Sequence, residues 1–184
     1  MKLRFALAAA LAAIPAAANA QTLTGTVSVD GTVAGRCVLG PPSLTSVPLG
    51  TLIDTTGPRA GRLTTIAAQA INFPGSWCNF ANTRITVSAN ALLSANATAP
   101  SPGFARAVNF TATATNWAAS NAAVTTAASA AGATPSASAP GGTHPAPKLA
   151  DLILTLNNFA VPADSLLVTG AYAGNVTITL GPAS

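Results

Sequence analysis

Residues 22–33, TLTGTVSVDGTV, alternate strictly between an apolar face and a polar face. The polar face consists only of Thr, Ser and Asp. A period of two built from valine and threonine is typical of a half-buried β-strand. The apolar face consists of Leu23, Gly25, Val27, Val29, Gly31 and Val33. Because four large apolar side chains need cover, we predict that this strand pairs in trans, completing the sheet of a neighbouring subunit.

The segment before this stretch, residues 1–20, has the pattern of a secretory signal peptide. Lys2 and Arg4 precede an apolar run over residues 5–14, and Ala18-Asn19-Ala20 supplies the small residues of a cleavage site. The apolar run is too short to span roughly 30 Å of hydrocarbon. We expect cleavage before Gln21, export, and no transmembrane segment in the mature chain.

The remaining 164 residues are enough for one domain with a hydrophobic core. Without Lys2 and Arg4, six of the eight basic residues remain against four acidic ones. A net charge near +2 with no basic cluster argues against a nucleic-acid partner. Small and hydroxyl-bearing residues dominate, and amphipathic runs with a helical period are absent beyond the leader. The composition therefore favours an all-β extracellular protein.

Two cysteines, Cys37 and Cys78, occur in the exported part. An even number of cysteines in an oxidising compartment indicates one disulfide. A metal pair or a redox pair would need closer spacing or further ligands. We predict a Cys37–Cys78 disulfide.

Several later segments alternate or have β-rich composition, and turn residues separate them. We predict strands over 84–92, 107–115, around 152–156 and over 171–180, with weaker ones over 44–52 and 122–126. Turns are expected at 55–61, Pro74-Gly75 and 161–164. Residues 127–147 are rich in Ala, Ser, Thr, Gly and Pro, which predicts a long mobile loop with His144 solvated. This spacing of short strands indicates a β-sandwich or barrel.

The last predicted strand has its own apolar face and no strand after it. That face consists of Tyr172, Gly174, Val176, Ile178 and Leu180. The chain thus has two predicted strands without a partner, one at the start of the mature chain and one at its end.

The mature chain resembles, in order, the pilin subunits of the bacterial chaperone–usher pathway. The resemblance rests on the alternating extension LTGTVSVDGTVAGRC, on VPLGTL after the first cysteine, on the second cysteine about forty residues later, and on the closing GAYAGNVTITL. The closing segment and the spacing of the extension also resemble the branch with the spore-coat-U-type domain.

The resemblance implies an incomplete immunoglobulin-like β-sandwich, completed by donor-strand exchange. Residues 21–35 would be the donor-strand extension and 36–184 the pilin domain. The apolar face of 22–33 would fill a neighbour's groove, and the strand from Tyr172 to Leu180 would border that groove. The expected partners are neighbouring subunits in a head-to-tail polymer, a periplasmic chaperone and an outer-membrane usher. The implied function is that of a fimbrial subunit at the cell surface, supporting adhesion and biofilm formation.

Two other interpretations remain open at this point. A self-contained secreted β-sandwich would pair the N-terminal strand with its own sheet and remain monomeric. An enzyme is disfavoured, because one histidine and four aspartates at scattered positions form no catalytic or metal-binding spacing, and no cofactor is implied. The scattered aromatic residues Trp77, Trp117 and Tyr172 are expected in the core.

Overall fold

The computed structural model describes residues 22–96 and 98–183. The predicted signal peptide lies outside the described residues. The chain divides into two units, with the boundary between Val33 and Ala34. In the first unit, residues 22–33 form no strand in the single chain. The side chains of Leu23, Val27, Val29 and Val33 are 84–92% exposed.

The second unit is all-β, and its described residues include one short 3₁₀ turn. Its strands are β1 (Cys37–Val38), β2 (Gln69–Cys78), β3 (Thr83–Ser94), β4 (Phe104–Ala105), β5 (Ala107–Thr115), β6 (Ala122–Thr125), β7 (Ala137–Pro140), β8 (Lys148–Ala160), β9 (Leu166–Leu167) and β10 (Tyr172–Pro182). The 3₁₀ turn covers Pro162–Asp164.

Eight of these strands form one antiparallel system with the order β1-β2-β8-β5-β3-β10. β6 adds to β5, and β7 adds to β3. β4 and β9 form a separate parallel pair. The inward faces of β2, β3, β5 and β8 share one buried cluster that includes Trp117. This arrangement is consistent with the predicted β-sandwich.

The two sides of this arrangement differ in how they close. Beside β6 and β7, the backbone closes the gap: Gly141 N–H continues the β7–β3 ladder to the Ile85 carbonyl (2.8 Å), and Gly142 N–H donates to the carbonyl of Ser120, just before β6 (2.9 Å). Four of the eight side chains of β6 and β7 are alanine, and the two backbones approach closely: a Cβ added at Gly141 would lie 2.9 Å from the backbone nitrogen of Ala122. The opposite side, beside β10, is open.

The strands predicted from strict alternation are confirmed. β5 has the predicted bounds, and β3 and β10 differ from theirs by at most two residues at either end. The weaker strand expected over 122–126 from composition is present as β6. β8 extends further than its Leu152–Leu156 pattern. Alternation identifies these strands because each has one face in the buried cluster.

Two local predictions between the cysteines are wrong. Residues 44–52 do not form a strand. Prolines at 41, 42 and 48 donate no hydrogen bonds, and Gly50 adopts a φ of 69° that a strand does not use. Pro74-Gly75 is not a turn between elements but a bulge inside β2, where the register with β8 shifts between Phe73 and Ser76.

The predicted loop over 127–147 is partly ordered by pairing. β7 lies inside it and pairs with β3 from Thr86 to Ala89. Strand pairing needs only backbone groups, so the small side chains that suggested a loop are compatible with a strand. His144 is not a freely solvated side chain, because its backbone bridges to Thr83 and its ring lies 6.2 Å from that of Trp117.

The predicted disulfide is present and joins Cys37 to Cys78, which are directly opposite in the β1–β2 pair. Within the described residues, no helix has the length and apolar content needed to cross a bilayer.

The predicted turns at 55–61 and 161–164 contact each other through charged side chains. Asp164 accepts from Arg59 at 3.1 Å and from Arg62 at 3.1 Å, and Arg59 lies 3.8 Å from Asp54. The hydrogen bond from Arg59 lowers the pKa of the Asp164 carboxyl below its usual value. Both aspartates therefore lie in ion pairs with arginines of these surface turns.

Candidate functional site: an open apolar groove beside β10

β10 is paired along one edge only. It is antiparallel to β3 over nearly its whole length, and no strand in the described part of the chain pairs with its other edge. An eleven-residue strand with a free edge presents a row of unpaired backbone N–H and C=O groups. The free edge is therefore competent to accept another strand.

The inward face of β10 is less buried than the same face of its neighbour. Ile85 and Val87 on β3 are 2% and 0% exposed. Their register partners on β10, Leu180 and Ile178, are only half-buried. Both strands point large apolar side chains to the same core, so the difference comes from a missing neighbour beyond β10.

An apolar groove of about 1000 Å³ follows this edge. One wall is the inward face and free edge of β10. The other is the segment 39–53, named here the wall segment, which follows β1. Side chains from β2, β5 and β8 line the groove between the walls, namely Ile71, Phe73, Phe110, Leu154, Leu156 and Phe159.

The chemistry of the groove is nearly uniform. None of the described residues that line it carries a charge, and its polar lining groups are hydroxyls, one asparagine side chain and backbone. A small-molecule site of this size would be expected to place a few convergent polar groups for orientation. An elongated apolar groove with a free strand edge suits an extended peptide instead.

Tyr172 lies at one end of the groove. Its hydroxyl donates to the Val168 carbonyl at 2.8 Å, which fixes the ring against the lining. Burial raises the pKa of the Tyr172 phenol above its ordinary value. The ring contributes apolar area to the groove while its hydroxyl remains bonded to the domain's own backbone.

Gly174 lies at a bulge in β10, where the register with β3 shifts between Ala173 and Asn175. A Cβ added at Gly174 would lie 2.8 Å from the Asn90 carbonyl oxygen and 3.0 Å from that of Ala91. Only glycine allows this close approach of β10 to β3.

The structure therefore places most of the predicted terminal-strand residues in one site. Tyr172, Gly174, Val176 and Ile178 line the groove, and Leu180 continues the same face beyond it. The predicted extension residues, from Leu23 to Val33, are exposed and belong to the other unit. The structure confirms the disulfide that anchors the start of the wall segment.

Sequence reasoning missed the wall segment and the residues between the walls as parts of the site. Leu39, Val47 and Leu52 line the groove, but the segment was predicted as a strand and given no role. Its alternation is broken by proline and glycine, so only its position after the first cysteine could have indicated the role. Phe110 and Phe159, whose ring centroids are 5.8 Å apart, cannot be distinguished from ordinary core residues in the sequence.

The described residues include no group of three or more side chains suited to holding a metal ion. Comparison with protein-family models, with curated proteins and with solved structures finds no match to this chain.

Proposed function

We propose that this protein is the structural subunit of a surface fimbria. In this proposal, residues 22–33 of one subunit insert into the groove beside β10 of the next and complete its β-sandwich as a donor strand. The observation that carries the proposal is the free edge of β10 above an apolar, uncharged groove. The exposed alternating segment in the same chain supplies an occupant of matching chemistry.

The lengths of the two partners agree. The apolar face of the extension runs from Leu23 to Val33, eleven residues, and β10 is also eleven residues long. An extended chain of that length spans roughly 36 Å. Backbone hydrogen bonds to the edge of β10 would supply affinity, and alternate side chains in the groove would supply specificity.

Burial of the extension's apolar side chains would contribute substantially to the free energy of subunit association. Moving a leucine and three valines from near-complete exposure into the groove contributes on the order of 6–10 kcal/mol before ordering costs. Gly25 and Gly31 contribute no side chain, so they suit the narrow points of a groove. Thr24, Thr26, Ser28 and Thr32 would face outward and remain hydrated.

Head-to-tail insertion is a heterologous contact, and such a contact that does not close a ring produces a filament. In the proposed export route, the leader directs the chain to the periplasm and a periplasmic chaperone covers the groove with a strand of its own. At the outer-membrane usher, the extension of the next subunit replaces that strand. The proposed role of the filament is attachment and biofilm formation.

The proposal is tested by placing charge on either face of the extension in the full mature chain. Val27→Asp with Val29→Asp puts two carboxylates on the face that would enter the groove. Thr26→Asp with Ser28→Asp puts the same charge on the other face and serves as the matched control. We expect light scattering to show polymers for the unchanged chain and for the control, and monomers for the Val27/Val29 variant, because burying unpaired carboxylates is costly.

Polymerisation of both double variants to the same extent would contradict the proposal, because the apolar face would then play no part. A monomeric unchanged chain that loses stability with the Val27 and Val29 substitutions would instead support a self-contained secreted sandwich, in which the segment pairs within its own sheet.

A further inference from the structure

The first three residues of the second unit, Ala34 to Arg36, are held by one residue, Asn79. The Asn79 side-chain oxygen accepts from Arg36 N–H at 2.6 Å, and its side-chain nitrogen donates to the Ala34 carbonyl at 2.8 Å. The Asn79 backbone N–H donates to the Arg36 carbonyl at 3.1 Å. Three hydrogen bonds from one residue thus fix a stretch that has no strand assignment of its own.

The arrangement extends the β1–β2 ladder beyond its last strand pair. β1 and β2 pair at Cys37 with Cys78, so Arg36 would next lie opposite Asn79. β2 ends at Cys78, and the chain turns away after it. A side-chain amide carries an N–H donor and a carbonyl acceptor, as a peptide group does. The Asn79 side chain can therefore hydrogen-bond to residues 34–36 beyond the point where β2 ends.

A second contact restricts the same stretch. A Cβ added at Gly35 would lie 3.3 Å from the Phe80 ring, so the glycine backbone packs directly on that ring. The Cys37–Cys78 disulfide then anchors the next residue covalently. Hydrogen bonds, ring contact and disulfide follow one another along four consecutive residues.

We propose that Asn79 is a positioning residue that fixes the backbone of residues 34–36 and thereby sets the angle between successive subunits; this inference rests on the proposed function. The extension is covalently joined to the domain through these residues. We call residues 34–36 the joint. If the joint were unrestrained, a neighbouring subunit that holds the extension could rotate freely about these residues. A clamped joint transmits a defined orientation from one subunit to the next and stiffens the filament.

The clamp is tested first in a monomer, in the full mature chain carrying Val27→Asp and Val29→Asp. Backbone order parameters from NMR relaxation are measured at Ala34, Gly35 and Arg36. We expect values near 0.85 with Asn79 present, and a fall to about 0.6 or lower with Asn79→Ala. Asn79→Asp keeps the acceptor for Arg36 and loses the donor to Ala34, so order should fall at Ala34 more than at Arg36.

The matched control is Ser138→Ala. Ser138 is also exposed and has a 2.8 Å side-chain hydrogen bond, accepted from Ser88, but it lies on β7, away from the joint and outside the lining of the groove. It should leave the order of residues 34–36 unchanged. Unchanged order parameters in Asn79→Ala would overturn the clamp.

The effect of the Asn79 clamp on assembly is measured on polymers of the chain with an unchanged extension. Asn79→Ala should still polymerise, because the donor face and the groove are intact, but electron micrographs should show a wider spread of angles between successive subunits than in the Ser138→Ala polymer. An equal spread would overturn the role in assembly. Failure of the unchanged chain to polymerise would reject the proposed function and this role together, while the order parameters would still decide whether Asn79 clamps the joint.

Discussion

At the scale of single residues, the groove beside β10 differs from the core in how deeply its side chains are buried and not in which residue types it contains. Val87 and Ile178 face each other across two paired strands and have similar side chains, yet one is fully buried and the other is not. The groove is made from ordinary core residues that lack one layer of neighbours. No residue in it is chemically unusual, which is what a site for a strand requires.

The ionisation of Tyr172 can be followed by its absorbance and reports on the groove, because Tyr172 is the only tyrosine in the chain. Burial raises its pKa in the folded state, so the neutral phenol stabilises the fold below its ordinary pKa of about 10, and this contribution is lost as the pH rises through the raised value. We expect tyrosinate absorbance to appear at higher pH than in the unfolded chain. A strand seated in the groove would bury the ring further and move the absorbance change to still higher pH. Tyr172→Phe removes the signal and serves as the control, and a midpoint equal to that of the unfolded chain would contradict the burial of the ring.

At the scale of elements, β10 is shaped by its bulge as much as by its alternation. Gly174 brings β10 against the Asn90 and Ala91 carbonyls, and a methyl group there meets backbone that cannot yield easily. We expect Gly174→Ala to lower the free energy of unfolding by about 1–3 kcal/mol in denaturant titrations, because overpacking forces the two strands apart. Gly181→Ala is the control, since Gly181 lies on the same strand and a Cβ there meets nothing within 4 Å. Equal stability of the two variants would show that the bulge adapts freely.

The strands and the site were predictable from the sequence to different extents. Alternation identified β3, β5 and β10, because each of them buries one face. It failed over residues 44–52, where Pro48 removes a backbone donor and Gly50 adopts a φ of 69°. It also failed over β7, whose pairing depends on backbone groups and leaves little trace in its small side chains. The half of the groove formed by β10 was predicted, whereas the wall segment was not, since its role depends on its position opposite β10 rather than on a pattern of its own.

At the scale of the whole molecule, the domain has one closed side and one open side. Glycine and alanine let the backbone seal the side beside β6 and β7, while the large side chains beside β10 leave a groove of about 1000 Å³. The same chain carries an exposed apolar face of equal length to the open strand. Under the proposed function, these two features make one copy of the chain complementary to the next.

The most direct test of this complementarity uses the Val27→Asp, Val29→Asp chain, whose groove is intact and whose own extension cannot compete. A synthetic peptide of residues 22–33 is added, and amide hydrogen exchange is measured along β10. We predict one peptide bound per chain, with new protection at the free edge of β10 and at the wall segment, and no protection from a peptide carrying the same two aspartates. Failure of the unchanged peptide to bind, or protection confined to other strands, would contradict donor-strand completion.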